Sequence, residues 1–322
     1  MTDRAAMGFA ALVLCALLTG CATSQTAQRP IVSTVSEWNF GSAPGRRITT
    51  DHYEILTTVD DAGLLASFPE LMERTFDYYQ ELVPPARINQ DRMTIYLFAD
   101  RAEWVAFTKR FAGVRAPIFL KIRNGGYSER GVTAIQFVAN QVTFPLMAHE
   151  GLHQYLYHFV NQEVPAWLNE GLAVACEGQR WTTSGLAAFE PTFNPSRKNA
   201  LVEAILRDRL MPLRDLLETN AGRIVGETSR TVATYYAQVW ALVVFMMEGQ
   251  DGKYADGFRN MCDALGSADF ADALRRQMNQ AGSGGAPNRG EAMFRAYISD
   301  DLDTFEAEMN AYLRKTLLRV DT

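Results

Sequence analysis

Three of the four histidines of this 322-residue chain, His149, His153 and His158, lie within ten residues. His149 and His153 are four residues apart, a spacing that puts two side chains one turn apart on the same helix face. Glu150 follows His149 directly, in the sequence HEGLH. Two neutral imidazoles at this spacing can hold one Zn²⁺ ion, and the adjacent carboxylate can reach a water molecule on the metal. The residues therefore predict a zinc-dependent hydrolytic site with Glu150 as general base.

The alternative is that both histidines are ordinary helix residues whose polar atoms are satisfied by backbone groups. Glu150 counts against this alternative, because the helix would then carry polar groups where its apolar stripe should run. Burial of an unpaired carboxylate costs several kcal/mol, whereas a divalent ion compensates its charge. His158, five residues past His153, lies off the ligand face, and we expect it to be structural or exposed.

Glu170 is the candidate for the third protein ligand that a catalytic zinc site requires. Sixteen residues separate it from His153, and it lies in PAWLNEGLA, a helix predicted to begin at Pro165. The short connection VNQEV between the two helices allows the second to fold back against the first. Glu170 would then face the two imidazoles.

Together, HEGLH and WLNEGLA resemble the gluzincin zinc metallopeptidases, and their spacing is most similar to that of the peptidase MA-like domains of bacterial envelope proteins. The resemblance implies a zincin-like fold, peptide-bond hydrolysis, and Zn²⁺ held by His149, His153 and Glu170. The downstream segment TYYAQVWALVVFMM is similar to a helix that in these enzymes carries an oxyanion-stabilising tyrosine, here Tyr236. The alternative is that Tyr235 and Tyr236 are both core aromatic residues.

Two further segments bear on this resemblance. Many gluzincins have an acidic residue four positions after the glutamate ligand, where it orients a ligand histidine, but this chain has Val174 there. Glu177 or a backbone carbonyl would have to take that role. The glycine turn at Gly125 and Gly126, with the strand after it, resembles the sheet edge along which gluzincins bind the substrate backbone.

The first 20 residues predict export. They begin with a weakly basic segment containing Arg4 and continue with an apolar run that is too short to span a bilayer comfortably. The run ends in Leu18-Thr19-Gly20-Cys21, which resembles the lipobox of bacterial lipoproteins. That resemblance implies a signal peptide over residues 1–20, an acyl anchor on Cys21, and a location in the cell envelope at the outer membrane, facing the periplasm. An ordinary signal peptide with a chance cysteine and an N-terminal anchor helix are the alternatives.

The remaining chain predicts an α+β architecture. Residues 21–45 are rich in Ser, Thr, Ala, Gly and Pro and predict a tether. Residues 46–320 predict one zincin-like domain, in which a small N-terminal mixed sheet with helices precedes a helical part and the zinc site lies at their junction. Arg47–Val59 and Arg92–Asp100 have the composition of strands. From Thr143 the pattern is helical, with Thr143 as the cap and Pro145 in the first turn.

Composition limits the partners. The net charge of -6 and the expected lack of a Lys/Arg cluster that could follow phosphates predict no nucleic-acid partner. We expect a peptide or protein substrate and membrane attachment through the N-terminal lipid anchor. Beyond the lipobox, Cys176 and Cys262 either form a disulfide or remain two buried thiols.

The sequence therefore supports the hypothesis of a lipid-anchored peptidase that hydrolyses peptide bonds with a zinc-activated water. The rival hypothesis is a catalytically silent envelope lipoprotein of zincin fold that acts as a binding or scaffold protein. Glu150 counts against this rival, because a scaffold has no need of a general base. A third hypothesis is hydrolysis of a non-peptide amide, such as a peptidoglycan cross-link.

Overall fold

The computed structural model describes residues 29–160, 162–182, 185–219, 224, 227–267, 272, 274–276 and 288–317. The predicted signal peptide, Cys21 and the first part of the tether lie outside the described residues. The described residues from Ile31 onward form one compact unit with a large apolar core. A search of the described helices finds none with the length and apolarity needed to cross a membrane.

Six strands form a mixed sheet in the N-terminal half, in the spatial order β1-β2-β3-β4-β6-β5. The pairs β3–β4 and β4–β6 are parallel, and the other neighbouring pairs are antiparallel. Strand β5 is therefore an edge strand antiparallel to β6. The strand bounds are β1 (Thr34–Phe40), β2 (Ala43–Thr49), β3 (Tyr53–Thr57), β4 (Met93–Phe98), β5 (Gly126–Glu129) and β6 (Val132–Gln136).

Helices surround this sheet and make up most of the described C-terminal half, which confirms the predicted α+β class. A separate two-stranded hairpin follows the fifth helix. The bounds are α1 (Ala62–Leu82), α2 (Arg101–Ala112), α3 (Ala116–Phe119), α4 (Asn140–Phe159), α5 (Ala166–Ala175), β7 (Gln179–Thr182), β8 (Gly185–Phe189), α6 (Pro195–Leu206), α7 (Leu213–Glu218), α8 (Ser229–Glu248), α9 (Ala255–Ala264), α10 (Arg289–Tyr297) and α11 (Leu302–Leu317).

Helix α4, which carries the HEGLH segment, is fixed against both α1 and the sheet. Tyr79 of α1 donates a hydrogen bond to the Ala148 carbonyl, next to His149. Gln154 donates from its amide to the carbonyls of Thr94 in β4 and Gly131 before β6. Because buried polar groups are costly to leave unpaired, these bonds fix the rotation of α4 as well as its position.

Two glycines allow the helices around the site to approach closely. A Cβ on Gly151 of α4 would lie 2.5 Å from the Tyr79 hydroxyl, and one on Gly171 of α5 would lie 2.6 Å from a methyl group of Val243 in α8. Both distances are shorter than van der Waals contact permits. Glycine in a helix costs about 1 kcal/mol relative to alanine, so close packing explains its presence at both positions.

The predicted tether is too long at its C-terminal end. Strand β1 begins at Thr34 and forms a hairpin with β2 through a turn at Gly41 and Ser42. Trp38 and Phe40, which alternate along β1, pack against a small cluster of buried aromatic residues. The Ser, Thr and Gly content of the segment obscured this period-two aromatic pattern.

Other predicted elements differ in their bounds. The single strand expected over Arg47–Val59 is two strands, β2 and β3, separated by a turn. The strand expected after the glycine turn is the hairpin β5–β6, and hairpin β7–β8 was not predicted. Helix α4 begins at Asn140 rather than at Thr143, so Thr143 lies inside the helix. The hydroxyl of Thr143 accepts a hydrogen bond from the N–H of Val138, two residues before the helix begins. Cys176 and Cys262 are both free, buried thiols, which is the second of the two alternatives.

A buried carboxylate fixes the β2–β3 turn to α1. Glu73 accepts hydrogen bonds from the backbone N–H of His52, at 2.8 Å, and pairs with its ring Nδ1 at 2.7 Å. Burial alone would raise the pKa of Glu73, but the bonds from His52 and Thr50 outweigh it and lower the pKa from 4.5 to about 2. The folded protein therefore stabilises the ionised form of the Glu73 side chain.

We expect Glu73→Gln to lower the free energy of unfolding at neutral pH by roughly 2 kcal/mol. The pKa of Glu73 is lower in the folded state than its usual value. The difference in the free energy of unfolding between the native chain and the variant should therefore be largest above about pH 5, and it should shrink as the pH falls through 4.5 towards 2. Urea unfolding at a series of pH values measures this difference. Glu81→Gln, at an exposed position of the same helix, is the control; equal losses in the two variants would contradict the account.

Candidate metal centre

Helices α4 and α5 bring the three predicted ligands together. Oε2 of Glu170 lies 3.4 Å from Nε2 of His149 and 3.5 Å from Nε2 of His153. One ligand atom from each of the three residues lies within 4.8 Å of the other two. The two imidazole rings stand nearly perpendicular to each other, with their centroids 5.0 Å apart. This is the donor set of two imidazoles and one carboxylate that a divalent transition metal accepts.

Each histidine is held through its other ring nitrogen. Nδ1 of His149 lies 2.9 Å from a carboxylate oxygen of Glu177, and Nδ1 of His153 lies 2.8 Å from Oδ1 of Asn169. Both oxygens accept hydrogen bonds, so each Nδ1 carries the proton and each Nε2 is left with a lone pair in the neutral ring. Such outer contacts fix the tautomer and orientation of metal-binding histidines. Glu177, one of the two possibilities left open by Val174, is therefore the partner of His149.

Glu177 is itself held by helix α6. Arg197 donates to it from Nη2 at 2.7 Å and from Nε at 3.2 Å, and Asn194 donates from its side-chain amide at 2.7 Å. Burial would raise the pKa of Glu177, but Arg197 and His149 outweigh it and lower the pKa to about 2. Asn194 also caps α6 by accepting from the Arg197 N–H. The carboxylate is thus ionised and fixed in direction.

In the protein alone, the charge of Glu170 is balanced by protonated His153 and His149, which outweigh burial and lower the pKa of Glu170 well below its usual value. Its Oε2 atom is shielded from solvent and has no hydrogen-bond partner among the described residues. Burial favours neutral imidazole, yet Glu170 and Glu177 outweigh burial and raise the pKa of His149 to about 10. A divalent cation among the three ligand atoms would give Glu170 its missing partner and would bind the neutral rings directly. The residues therefore fit a metal ion.

Glu150 lies in the same buried region without a fixed partner. Its carboxylate receives no hydrogen bond from any described residue, in contrast to Glu177. Burial raises the pKa of Glu150 above its usual value, His149 and His153 lower it, and Glu170 and Glu177 raise it further. A carboxylate in these surroundings holds a proton more readily than one in water, which suits it to proton transfer.

Helix α8 brings the Tyr236 ring to the centre, and burial followed by the charge of Glu170 raises the pKa of the neighbouring Tyr235 as well. The Tyr236 ring lies 6.0 Å from the His149 ring and 5.1 Å from the Arg197 guanidinium, measured between centroids or from the guanidinium carbon. Tyr235 is completely buried in the core. Burial, followed by the charges of Glu170 and Glu150, raises the pKa of Tyr236 well above its usual value. Its hydroxyl therefore keeps its proton and can donate a hydrogen bond.

His158 lies outside the centre, as the sequence predicts. Its Nε2 donates to the carbonyl of Gly131 at 3.0 Å, which ties the end of α4 to the β5–β6 turn. The sequence did not predict Asn169, Asn194 or Arg197 as parts of the site. Asn169 could have been suspected from its place beside Glu170, but Arg197 is brought in only by the packing of α6.

A cleft of about 860 Å³ opens beside the centre. His153 and Glu170 lie in its wall, and edge strand β5 contributes Ser128 and Glu129. The strand after the glycine turn is therefore at the sheet edge next to the ligands, where an extended chain could pair with it. Residues of the α4–α5 connection and the start of α10 complete the lining, including Glu163, Val164 and Asn288.

A scan against models of known protein families gives no match for this chain. A search of the curated proteins likewise finds no significant match. The geometry of the centre and its cleft therefore carries the functional argument.

Removal of the outer partner of His149 should weaken metal binding. We expect Glu177→Ala to lower the affinity for Co²⁺ or Zn²⁺ by about 10- to 100-fold, because the His149 ring loses its fixed tautomer and direction. Competition with a chromophoric chelator measures the affinity. Glu190→Ala removes another carboxylate that pairs with an arginine, Arg180, but is exposed; it should leave the affinity unchanged. Equal affinities of the Glu177→Ala variant and the native chain would show that this contact does not orient the ligand.

Proposed function

We propose that this chain is a zinc metallopeptidase of the gluzincin type, with a zincin-like fold, that hydrolyses peptide bonds. The observation that carries the proposal is the convergence of His149, His153 and Glu170, with both imidazole Nδ1 atoms occupied by other partners. An adjacent carboxylate, Glu150, with no hydrogen-bonding partner among the described residues supports it. A binding or scaffold protein would have no need of the free carboxylate.

His149, His153 and Glu170 would hold the zinc ion through Nε2, Nε2 and a carboxylate oxygen. When bound, zinc supplies a Lewis acid that polarises the scissile carbonyl and lowers the pKa of an attacking water. Glu177 and Asn169 keep the two imidazoles in the required tautomer. Three protein ligands leave room for a further ligand, as catalytic rather than structural zinc sites do.

The proton chemistry is assigned to Glu150. Its carboxylate accepts a proton from the attacking water and then passes that proton to the leaving amine. The raised pKa of Glu150 makes it a stronger base in the first step, and it lets the acid form persist until the amine leaves. Tyr236 donates a hydrogen bond to the oxygen of the carbonyl as negative charge develops there.

The cleft supports a binding position for the substrate along strand β5. Edge strand β5 offers unpaired backbone groups beside His153 and Glu170, to which an extended peptide can hydrogen-bond as an added strand.

We further propose that a lipid on Cys21 anchors the chain in the cell envelope, at the outer membrane and facing the periplasm. The lipobox-like residues Leu18 to Cys21 support this part of the proposal.

Metal binding and hydrolysis should separate in two glutamate variants. We expect Glu150→Gln to keep stoichiometric zinc and to lose hydrolysis of a peptide library, because the amide cannot accept the proton. Glu170→Gln should lose both, because an amide is a much poorer zinc ligand. Zinc content by atomic spectroscopy and cleavage by mass spectrometry measure the two properties. Loss of zinc in Glu150→Gln would make it a ligand, and a zinc-loaded native chain that cleaves no peptide would favour the scaffold or the non-peptide amide hypothesis.

The adjacent tyrosines allow a matched test of oxyanion stabilisation. We expect Tyr236→Phe to lower kcat by about 10²- to 10³-fold with little change in KM, the usual effect of losing one donor to the developing charge. Tyr235→Phe removes the hydroxyl of the buried neighbour and should change kcat little. Steady-state kinetics on one cleaved peptide distinguishes the two variants. A larger loss of kcat in Tyr235→Phe than in Tyr236→Phe would refute the assignment.

A further inference from the structure

Basic residues are concentrated in one segment of this acidic chain. Residues 109–130 contain six of its 31 Lys and Arg residues but one of its 37 Asp and Glu residues, Glu129. The expectation that no Lys/Arg cluster exists is therefore wrong for this segment. The segment runs from the end of α2 through α3 to strand β5. Its six basic residues are Lys109, Arg110, Arg115, Lys121, Arg123 and Arg130.

The structure turns the apolar residues of this segment to two opposite sides. Ala112, Ala116 and Phe119 pack into the aromatic cluster beneath α2 and the sheet. Val114 and Ile118, also four residues apart, lie on the other side of the helical turn and are 98% and 45% exposed. A solvated charged surface does not require an apolar residue as exposed as Val114, since exposed apolar area is unfavourable in water.

The cations around these two residues are available to a partner. Lys109, Lys121 and Arg123 are exposed, and their side chains form no ion pair with any described residue. Arg110 stacks over Phe40 and Arg115 over Phe119, so both are held at the surface. Glu129 pairs with Arg115 and is largely buried. In this segment the cations therefore outnumber the acidic side chains six to one.

We propose that the Lys109–Arg123 surface docks on an anionic phospholipid bilayer. Exposed apolar side chains framed by Lys and Arg are what an interfacial segment needs, because the apolar groups enter the headgroup boundary and the cations face lipid phosphates. A nucleic acid would use the cations but gain nothing from Val114 and Ile118. The inference does not depend on the proposed hydrolysis or on the lipid anchor.

The surface adjoins the cleft beside the metal centre. Arg115 and Arg130 line that cleft, together with Ser128 and Glu129 of edge strand β5. Docking would therefore hold the cleft entrance close to the headgroups. Polypeptide segments at the bilayer surface would be the class of ligand presented to it.

Vesicle sedimentation of the chain that begins at Ala22 tests the proposal, because the compact unit starts after that residue and the apolar N-terminus is then absent. We expect binding to phosphatidylglycerol-containing vesicles, weak binding to pure phosphatidylcholine vesicles, and loss of binding at high salt. The triple variant Lys109→Glu, Lys121→Glu, Arg123→Glu should bind at least about 100-fold more weakly. Val114→Asp with Ile118→Asp should bind about tenfold more weakly or worse.

Matched control variants come from the C-terminal ends of helices α6 and α11, outside the basic segment. Leu206→Asp removes an apolar residue that is 72% exposed, and Arg207→Glu, Arg314→Glu and Lys315→Glu reverse three exposed cations. These controls should bind vesicles like the native chain, and unchanged melting temperatures in all variants would show that each is folded. Equal binding to both kinds of vesicle, equal losses in the control variants, or tighter binding to duplex DNA than to anionic vesicles would overturn the proposal.

Discussion

The burial of one negative charge, on Glu170, is the constraint on which the rest of this structure depends. A carboxylate oxygen that is shielded from water and has no hydrogen bond is expensive to maintain. Two imidazole nitrogens, from His149 and His153, lie 3.4 and 3.5 Å from it, and they balance its charge only when the rings are protonated. The unfavourable burial becomes favourable if a divalent cation occupies the space between the three groups.

The surrounding elements are arranged to keep this geometry. Gly151 lets α1 approach α4, and Gly171 lets α8 approach α5. Each of the two helices that carry the ligands is therefore held by close packing against a neighbouring helix. Helix α6 contributes Arg197, which holds Glu177 against His149 and stacks over Tyr236. Arg197 thus contacts both Glu177, which orients the ligand His149, and Tyr236, to which we assign oxyanion stabilisation.

The sequence was most informative where a function needs a fixed local spacing. His149, Glu150 and His153 lie on one helix, so the period of 3.6 residues sufficed to bring the two imidazoles together. Glu170 required only a short connection between two helices. Arg197 and Asn194 could not be predicted, because their contact with Glu177 depends on how α6 packs after the β7–β8 hairpin. The bounds of β1 and β2 were missed because turn-forming residues outnumber the two aromatic residues that mark β1.

The cleft and the basic surface adjoin each other beside the metal centre. Edge strand β5 lines the cleft, and Arg115 belongs to both the cleft and the basic surface. A chain that is acidic overall but basic at this face is polarised in charge. Such polarity orients a protein at an anionic surface even when the net charge is unfavourable.

X-ray absorption spectroscopy of the purified full chain, loaded with zinc at neutral pH, tests the central claim most directly. The account predicts one zinc ion per chain, with two imidazole nitrogens at about 2.0–2.1 Å, carboxylate or water oxygens at about 2.0–2.2 Å, and no sulfur ligand. A chain that retains no zinc, or a zinc ion with a sulfur neighbour or a single imidazole, would contradict the ligand set of His149, His153 and Glu170.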